Sequence, residues 1–318
     1  MDQPVRLGIS ACLLGEKVRY DGGHAHARHV TSLLADRVEF HPICPEVGCG
    51  MPVPREAVRL VGTPESCRLL GRESGTDWTD RMTQWAREAL DQLAKANLCG
   101  FIFRAKSPSS GMGRVKVYPH GGGQLVSHAG TGLFARLFME RFPLLPVEDD
   151  GRLHDINLRA NFLERVFVQH RWNAVLRGGR RMKDLVDFHT RHKMLLRSHD
   201  IPTYRQMGAL VAGGRTMPGD ELFDLYDRLL AQAMARKPTP RKHADVLTHV
   251  LGHFKTMLTA DEKRECLEII DNYRNELIPL IVPVTLMNHY VRKYGARYLK
   301  DQIYLAPHPL ELKLRNHA

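Results

Sequence analysis

Arg6-Leu-Gly-Ile-Ser-Ala-Cys-Leu13 is the stretch on which the fold turns. It is apolar along most of its length, suits a buried strand, and leaves Cys12 near its carboxyl end. Residues 38–43 (VEFHPI) predict a second strand, and Cys44 follows at once. Residues 98–105 (LCGFIFRA) predict a third, trailed by the polar turn Ser107-Pro-Ser-Ser-Gly111. Residues 115–118 predict a short fourth. Between the second and third strands, Met82, Trp85, Ala86, Ala89, Leu90 and Leu93 recur at helical spacing behind a start at Asp77 or Thr79. A further helix is expected over about 132–141. Strands alternating with helices predict an α/β fold with a parallel, Rossmann-like sheet. Such a sheet places its chemistry outside the carboxyl ends of its strands.

Around residues 142–151 (FPLLPVEDDG) two prolines and an acidic cluster interrupt the pattern, so a linker is expected there. The expected domains are 1–148, the α/β domain, and 149–318, an all-α domain. Helical patterns cover roughly 155–176, 180–199, 202–213, 219–236, 240–258, 260–280 and 283–295, with no internal repeat. The apolar stripes Val246, Val250, Phe254, Met257 and Leu267, Ile270, Tyr273, Leu277 are expected in the core.

The 318 residues hold six cysteines and 43% hydrophobic residues, and no apolar run reaches the roughly 18–20 residues of a membrane span. Met1 to Arg6 is polar and leads straight into a strand, unlike a secretory signal, so the expected location is cytoplasmic. In that reducing setting the cysteines are expected as thiols, with Cys67, Cys99 and Cys266 structural. Net charge is +11, unevenly spread: residues 1–150 carry 18 Lys+Arg against 17 Asp+Glu, and residues 151–318 carry 28 against 18. A neutral module joined to a basic one suggests a polyanion as partner.

Two loops carry the candidate chemistry. One is Ser10-Ala-Cys-Leu-Leu-Gly15 with Arg19-Tyr-Asp-Gly22; the other is Cys44-Pro-Glu-Val-Gly-Cys-Gly50 with Pro52-Val-Pro-Arg55. A lone Cys is most simply a small core residue. Two in one Gly- and Pro-bent loop, with Cys12 from a neighbouring strand end, make a ligand set the better reading. Spacing alone leaves zinc, with His24, His26 or His29 as fourth ligand, and an iron–sulfur cluster both open. Glu46 lies between the cysteines, where a carboxylate positions or deprotonates water. Ser107 and Ser109 are candidates for an N-cap or for holding a reacting group. Lys106 and Arg55 are equally suited to an anionic intermediate and to solvent.

The joint set Ser10-Ala-Cys12-Leu-Leu-Gly15, Arg19-Tyr-Asp-Gly22, Cys44-Pro-Glu46, Pro52-Val-Pro-Arg55 and Ser107-Pro-Ser109 resembles the thiouracil desulfidase family over roughly residues 5–145. The resemblance implies a 4Fe–4S cluster on three cysteines with one iron free to capture the sulfur of a thiocarbonyl. It implies Glu46 as catalytic carboxylate and Ser107 as catalytic serine. There is one departure: Ser110 stands where family members typically carry a cysteine, and Cys49 where they commonly carry glycine. The exchange keeps the total at three and implies Cys12, Cys44 and Cys49 as the ligands. From about Asp184-Leu-Val-Asp-Phe-His-Thr-Arg-His-Lys193 to residue 300 the chain resembles the helical domain often fused to this family. Fused members look like tRNA 4-thiouridine desulfidases, which implies thiolated tRNA as partner, and uridine and sulfide as products of non-redox chemistry.

The basic half adds its own argument. Nine basic residues and only three acidic ones lie between Arg171 and Arg205. His189, Lys193 and Arg197 share a helix face, with Arg191 beside them. Arg180, Arg181 and Lys183 crowd the start of that helix, against its dipole, as if to meet a phosphate. These seven are the expected RNA contacts, with Tyr204 placed to stack on a base. The pairs His189/His192 and His249/His253 are read as hydrogen-bonded or phosphate-facing. The competing readings are a desulfidase of free 2-thiouracil or thionucleosides, a non-catalytic zinc-dependent RNA-binding protein, and a redox sensor.

Overall fold

The computed structural model describes residues 4–119 and 127–316. The chain divides into two compact units, Met1–Phe162 and Leu163–Ala318, and the division falls within one long helix.

The first unit opens with β1 (Val5–Ser10), a 3-10 turn at Ala11–Leu14, α1 (Arg28–Leu34), β2 (Val38–Ile43) and the single-turn α2 (Pro45–Gly48). There follow β3 (Val58–Gly62), β4 (Cys67–Gly71), α3 (Thr79–Lys95), β5 (Phe101–Phe103), β6 (Val115–Tyr118), β7 (Ser127–Gly130), α4 (Leu133–Arg141) and β8 (Val147–Asp149). A parallel sheet runs in the order β2-β1-β5-β8. Central β1 buries Leu7 and Ile9 completely. Gly8 sits where any Cβ would lie 2.2 Å from the Phe101 ring, so the β1–β5 pairing requires glycine there. Helix α3 buries Met82, Ala86, Leu90 and Leu93, the stripe its sequence predicts, and Asp77 accepts the Thr79 backbone N–H at 2.9 Å.

Two features differ from expectation. Residues 115–118 do not extend the parallel sheet; they join a second sheet of order β4-β3-β6-β7, whose hairpin β3–β4 is antiparallel. The expected linker contains β8, a three-residue edge strand paired with β5. Proline before its first residue costs little at an edge, where unpaired N–H groups are tolerated.

The second unit is helical: α5 (Ile156–Arg177) enters it, then α6 (Met182–His199), α7 (Ile201–Gly213), α8 (Gly219–Ala235), α9 (Pro240–Gly252), α10 (Ala260–Arg274), α11 (Ile281–Lys293) and α12 (Arg297–Lys300). Its core gathers Trp172, Phe188, Phe223, Tyr226, Leu247, Phe254 and Met287. Asp200 caps α7, Thr239 caps α9, and Thr259 with Glu262 forms a capping box on α10. The core stripes were expected to be longer. Met257 and Leu277 are exposed because α9 ends at Gly252 and α10 at Arg274; Leu267, within α10, is exposed as well. Among the described residues no helix is long and apolar enough to cross a membrane.

Candidate active site

In parallel pairing β1, β2 and β5 end on the same edge, which brings three loops together. They enclose a cavity of about 320 Å3. Cys12, Cys44, Glu46 and Ser107 all line it, as do Arg19, Tyr20, Arg55, Arg104, Lys106 and Ser110. Four cations against Glu46 and Glu56 give the wall a positive balance.

Helix α2 holds Glu46 in place. Gly48 lets it lie against α3: a Cβ there would meet the Trp85 indole at 2.2 Å. The Ser107–Gly111 turn is fixed by α4, whose first amides, Leu133 and Ala135, donate to the carbonyls of Pro108 and Ser109 at 3.1 Å each. These anchors set up a hydrogen-bonded chain. Ser107 Oγ lies 3.0 Å from Ser109 Oγ, and Ser109 Oγ donates to Glu46 Oε1. The other oxygen, Oε2, accepts from the Cys44 thiol at 3.4 Å. Ser107 Oγ also accepts the backbone N–H groups of Ser109 and Ser110.

Asp150, just beyond β8, braces the third loop. It accepts from the Ala105 N–H at 2.7 Å and pairs with the Arg104 guanidinium. Ser10 Oγ accepts the Arg104 N–H at 2.9 Å, tying β1 to the same loop. Arg55 donates to the Val18 carbonyl at 3.1 Å and closes the first loop over the second.

Burial, and next the Glu46 carboxylate, pushes the Cys12 thiol up to about 11 and the Cys44 thiol up to about 12. The same two causes raise Cys49. Thiolates at this site therefore need a cation to form at neutral pH.

Not every expected ligand faces the cavity. Cys49, at the end of α2, is 6% exposed and packs with Met51, Leu60, Leu69 and Met82. Its thiol donates to the Glu46 carbonyl at 3.3 Å. The position on the wall is taken by Ser110 instead. The histidines weighed as zinc ligands are elsewhere: His26 lies 3.0 Å from Thr31 Oγ1, and His29 stacks on His154 at 3.7 Å. Among the described residues no three His, Cys, Asp or Glu side chains are grouped to hold a metal ion. Cys67, Cys99 and Cys266 are buried and lie outside any disulfide.

Residues 7–150 match the family model described as 2-thiouracil desulfurase. These residues are a 2-thiouracil desulfurase domain. Residues 193–309 match a model described as a protein of unknown function, DUF1722, so the helical unit carries a second, separate family signature. The chain is 29% identical over 155 residues to the uncharacterized protein YbgA of Escherichia coli (strain K12), covering 48% of this chain and 92% of that one. It is 28% identical over 137 residues to the uncharacterized protein YbbK of Bacillus subtilis (strain 168), covering 42% and 88%. Among solved structures it resembles the [4Fe-4S]-dependent thiouracil desulfidase TudS, at 30% identity over 49% of this chain and 97% of that one, with a TM-score of 0.39.

The cavity wall of the desulfurase domain thus holds two thiols whose chemistry suits a cluster, Cys12 and Cys44, while the third expected ligand, Cys49, sits at the far end of the same helical turn and faces the core. Sequence reasoning missed Ser109 as the partner of Glu46 and Asp150 as the brace of Arg104. Ser109 was visible as the second serine of the turn. Asp150 lay within an acidic cluster read as linker.

The expected RNA contacts of the helical unit are differently placed. Arg180 is paired with Asp220 and Asp224 at 3.0 Å each. Arg181 is paired with Asp184, Arg191 with Asp187, and Arg197 with Asp245. Lys183 is exposed and Lys193 half-buried. His189 does not share an open basic face: it is buried, hydrogen-bonded to Tyr226 at 3.1 Å, with Tyr204 stacked on it. An imidazole there fills the core more cheaply than it meets a phosphate, because burial holds it uncharged, down at about 4.

Proposed function

We propose that this chain is a desulfidase that hydrolyses the thiocarbonyl of a thiolated pyrimidine, and that Cys12, Cys44 and Cys49 hold a 4Fe–4S cluster at its centre. The observation that carries the reading is the meeting of Cys12, Cys44, Glu46 and Ser107 around one cavity, in a domain matched to 2-thiouracil desulfurase. When bound on three thiolates, the cluster supplies a Lewis-acidic iron for the substrate's sulfur.

The protein's own groups do the rest. The positive wall draws in and orients a polar ring. Glu46 takes a proton from a water, which attacks the carbon bearing sulfur. Ser109 occupies Oε1, so Oε2, which accepts the Cys44 thiol hydrogen here, is the oxygen left for the water once Cys44 is a thiolate. Ser107 holds the ring or the water. The C=S unit becomes C=O, sulfide leaves with the water's protons, and no electron is gained or lost.

The base, free or as a nucleoside, is the substrate that the comparisons favour, ahead of the tRNA-borne base expected from sequence. A second reading, 4-thiouridine within tRNA, is favoured by the excess of ten positive charges in residues 151–318. Chemistry that needs free thiols suits a reducing cytoplasm.

The test is anaerobic reconstitution, with iron and sulfide counts, then the thiocarbonyl absorbance of 2-thiouracil, 4-thiouridine and thiolated tRNA. Loss of that absorbance with equimolar sulfide supports the reading. Full turnover by an iron-free Cys12→Ala variant refutes it. A Cys49→Ala variant that keeps four irons refutes the ligand assignment alone.

A further inference from the structure

We infer that Tyr20 is a specificity-determining residue of the desulfurase site. Its ring stacks on the substrate, so the site takes a flat, unsaturated pyrimidine and discriminates against a puckered ring with the same polar groups. The inference rests on the desulfidase reading for its substrate, but it concerns recognition and not the chemistry at sulfur.

The first observation is where apolar surface is left uncovered. Among the described residues of the first unit, four large apolar side chains are exposed: Tyr20, Val47, Val53 and Ile156. Three of the four come from the two loops that carry Cys12 and Cys44. An apolar side chain exposed singly is ordinary; three drawn from the loops around one concavity mark a binding surface. Of the three, Tyr20 is on the cavity wall, with Cys12, Cys44 and Glu46.

The second observation is how firmly Tyr20 is held. The Arg55 N–H donates to the Tyr20 carbonyl at 2.8 Å, which ties the first loop to the second. The turn closes through Arg19, whose N–H donates to the Gly23 carbonyl at 3.2 Å and whose carbonyl accepts the Gly22 N–H at 3.0 Å. The Arg19 guanidinium, paired with Asp21 at 3.4 Å, lies over the Tyr20 ring at 5.4 Å. That cation backs one face of the ring. The surface that stays open, 46% of the residue, is left for a ligand.

A tyrosine so placed offers a broad, rigid face and only two side-chain torsions to fix on binding. A conjugated pyrimidine presents a matching flat face. A ring saturated at its 5,6 bond puckers and touches at fewer atoms. The charged groups on the same wall meet the polar edge, which both rings share, so the flat face is what Tyr20 reads.

The experiment measures binding of 2-thiouracil, uracil and 5,6-dihydrouracil to the reconstituted full chain by equilibrium dialysis, with iron content and thiocarbonyl turnover followed in parallel. The parent is compared with Tyr20→Phe and Tyr20→Ala. The parent should bind uracil about tenfold more tightly than 5,6-dihydrouracil, and Tyr20→Phe should keep that ratio. Tyr20→Ala should weaken uracil and 2-thiouracil about tenfold and 5,6-dihydrouracil less than about twofold. In turnover the same loss should appear in KM, with kcat within about twofold of the parent, because a stack held alike in ground and transition states is uniform binding. Equal losses for flat and puckered rings, or none, overturn the stack. So does a parent that binds the two alike or binds neither at millimolar concentration. A Tyr20→Ala variant that loses iron assigns the residue to holding the loop and also overturns it. The two ideas fail separately. A parent that prefers the flat ring but releases no sulfide sinks the proposed function and leaves the stack standing. A Tyr20→Ala variant that desulfurates 2-thiouracil with the parent's KM sinks the stack alone.

Discussion

Replacing Glu164 with Ala should unfold the helical unit at a markedly lower temperature. The carboxylate is buried, with one oxygen 2.8 Å from His199 Nε2 and the other 3.2 Å from Arg315 Nη2. His199 is wholly buried, and Arg315 is only 8% exposed. Arg315 also donates to the Tyr304 carbonyl at 2.6 Å and lies over the Tyr304 ring, which holds it in the core. Removing Glu164 therefore strands a guanidinium in the core. Breaking a buried pair from one side costs about 3–5 kcal/mol. In a unit of this size each kcal/mol moves the midpoint by roughly 2–4 °C, so the expected loss is about 6–20 °C. Burial alone would raise the pKa of Glu164; the His199 hydrogen bond and the Arg315 charge outweigh it and hold the group well below the carboxylate range. The sign follows: this stabilisation is present above the unfolded carboxylate pKa, about 4.3, and fades as pH falls toward the folded value. The gap between parent and variant melting curves, followed by circular dichroism from pH 7 to 3, should narrow toward the acid end. A variant that melts within about 2 °C of the parent at pH 7, or a gap that stays constant down to pH 3, refutes the reasoning.

His243 is buried and neutral, lowered to about 3 by desolvation and then by Arg315, so the unfolded chain takes up its proton first. Stability should fall from about pH 6.5 downward, and His243→Phe, which keeps a ring beside Tyr304, should flatten that part of the profile. In the desulfurase domain, Glu46→Gln should cut kcat about 10²–10⁴-fold with little change in iron content, measured by stopped-flow loss of thiocarbonyl absorbance. Ser109→Ala frees one oxygen of Glu46 and should lower kcat more than it raises KM; combined with Glu46→Gln it should add almost nothing, because both act through one carboxylate. Gly48→Ala drives a methyl into the Trp85 indole and should cost about 1–3 kcal/mol in urea unfolding.

The parallel sheet was legible because its two central strands are buried on both faces and read as continuous apolar runs: Leu7 to Ile9 in β1 and Phe101 to Phe103 in β5 leave no surface for alternation. The second sheet was not. Strand β3 holds Arg59 and β4 holds Arg68, and Gly62 and Gly71 end them, so each reads as a loop with a few apolar residues. Their pairing is a tertiary fact, settled by register between Val58–Gly62 and Cys67–Gly71 and not by local pattern. Strand β8 was hidden for a related reason: three residues after a proline carry too little period to be seen, and only the pairing with β5 makes them a strand.

The site divides along the same line. Strand ends and loop glycines are local features, and they were enough to bring Cys12, Cys44, Glu46 and Ser107 to one place. Which way a side chain turns from its loop is not local. Cys44 and Cys49 bracket a single helical turn, so about five residues of rotation, near 100° each, carry the second thiol well around the axis from the first. That rotation is why Cys44 faces the cavity while Cys49 meets Met82 and Leu69. The same reasoning explains the misplaced RNA face. Spacing of four puts His189, Lys193 and Arg197 on one side of α6, but that side is the one α8 and α9 pack against, through Tyr226 and Asp245. A run of basic residues marks a charged element, and its neighbours' carboxylates decide how much of that charge is left for a partner. On α6 most of it is consumed within the fold.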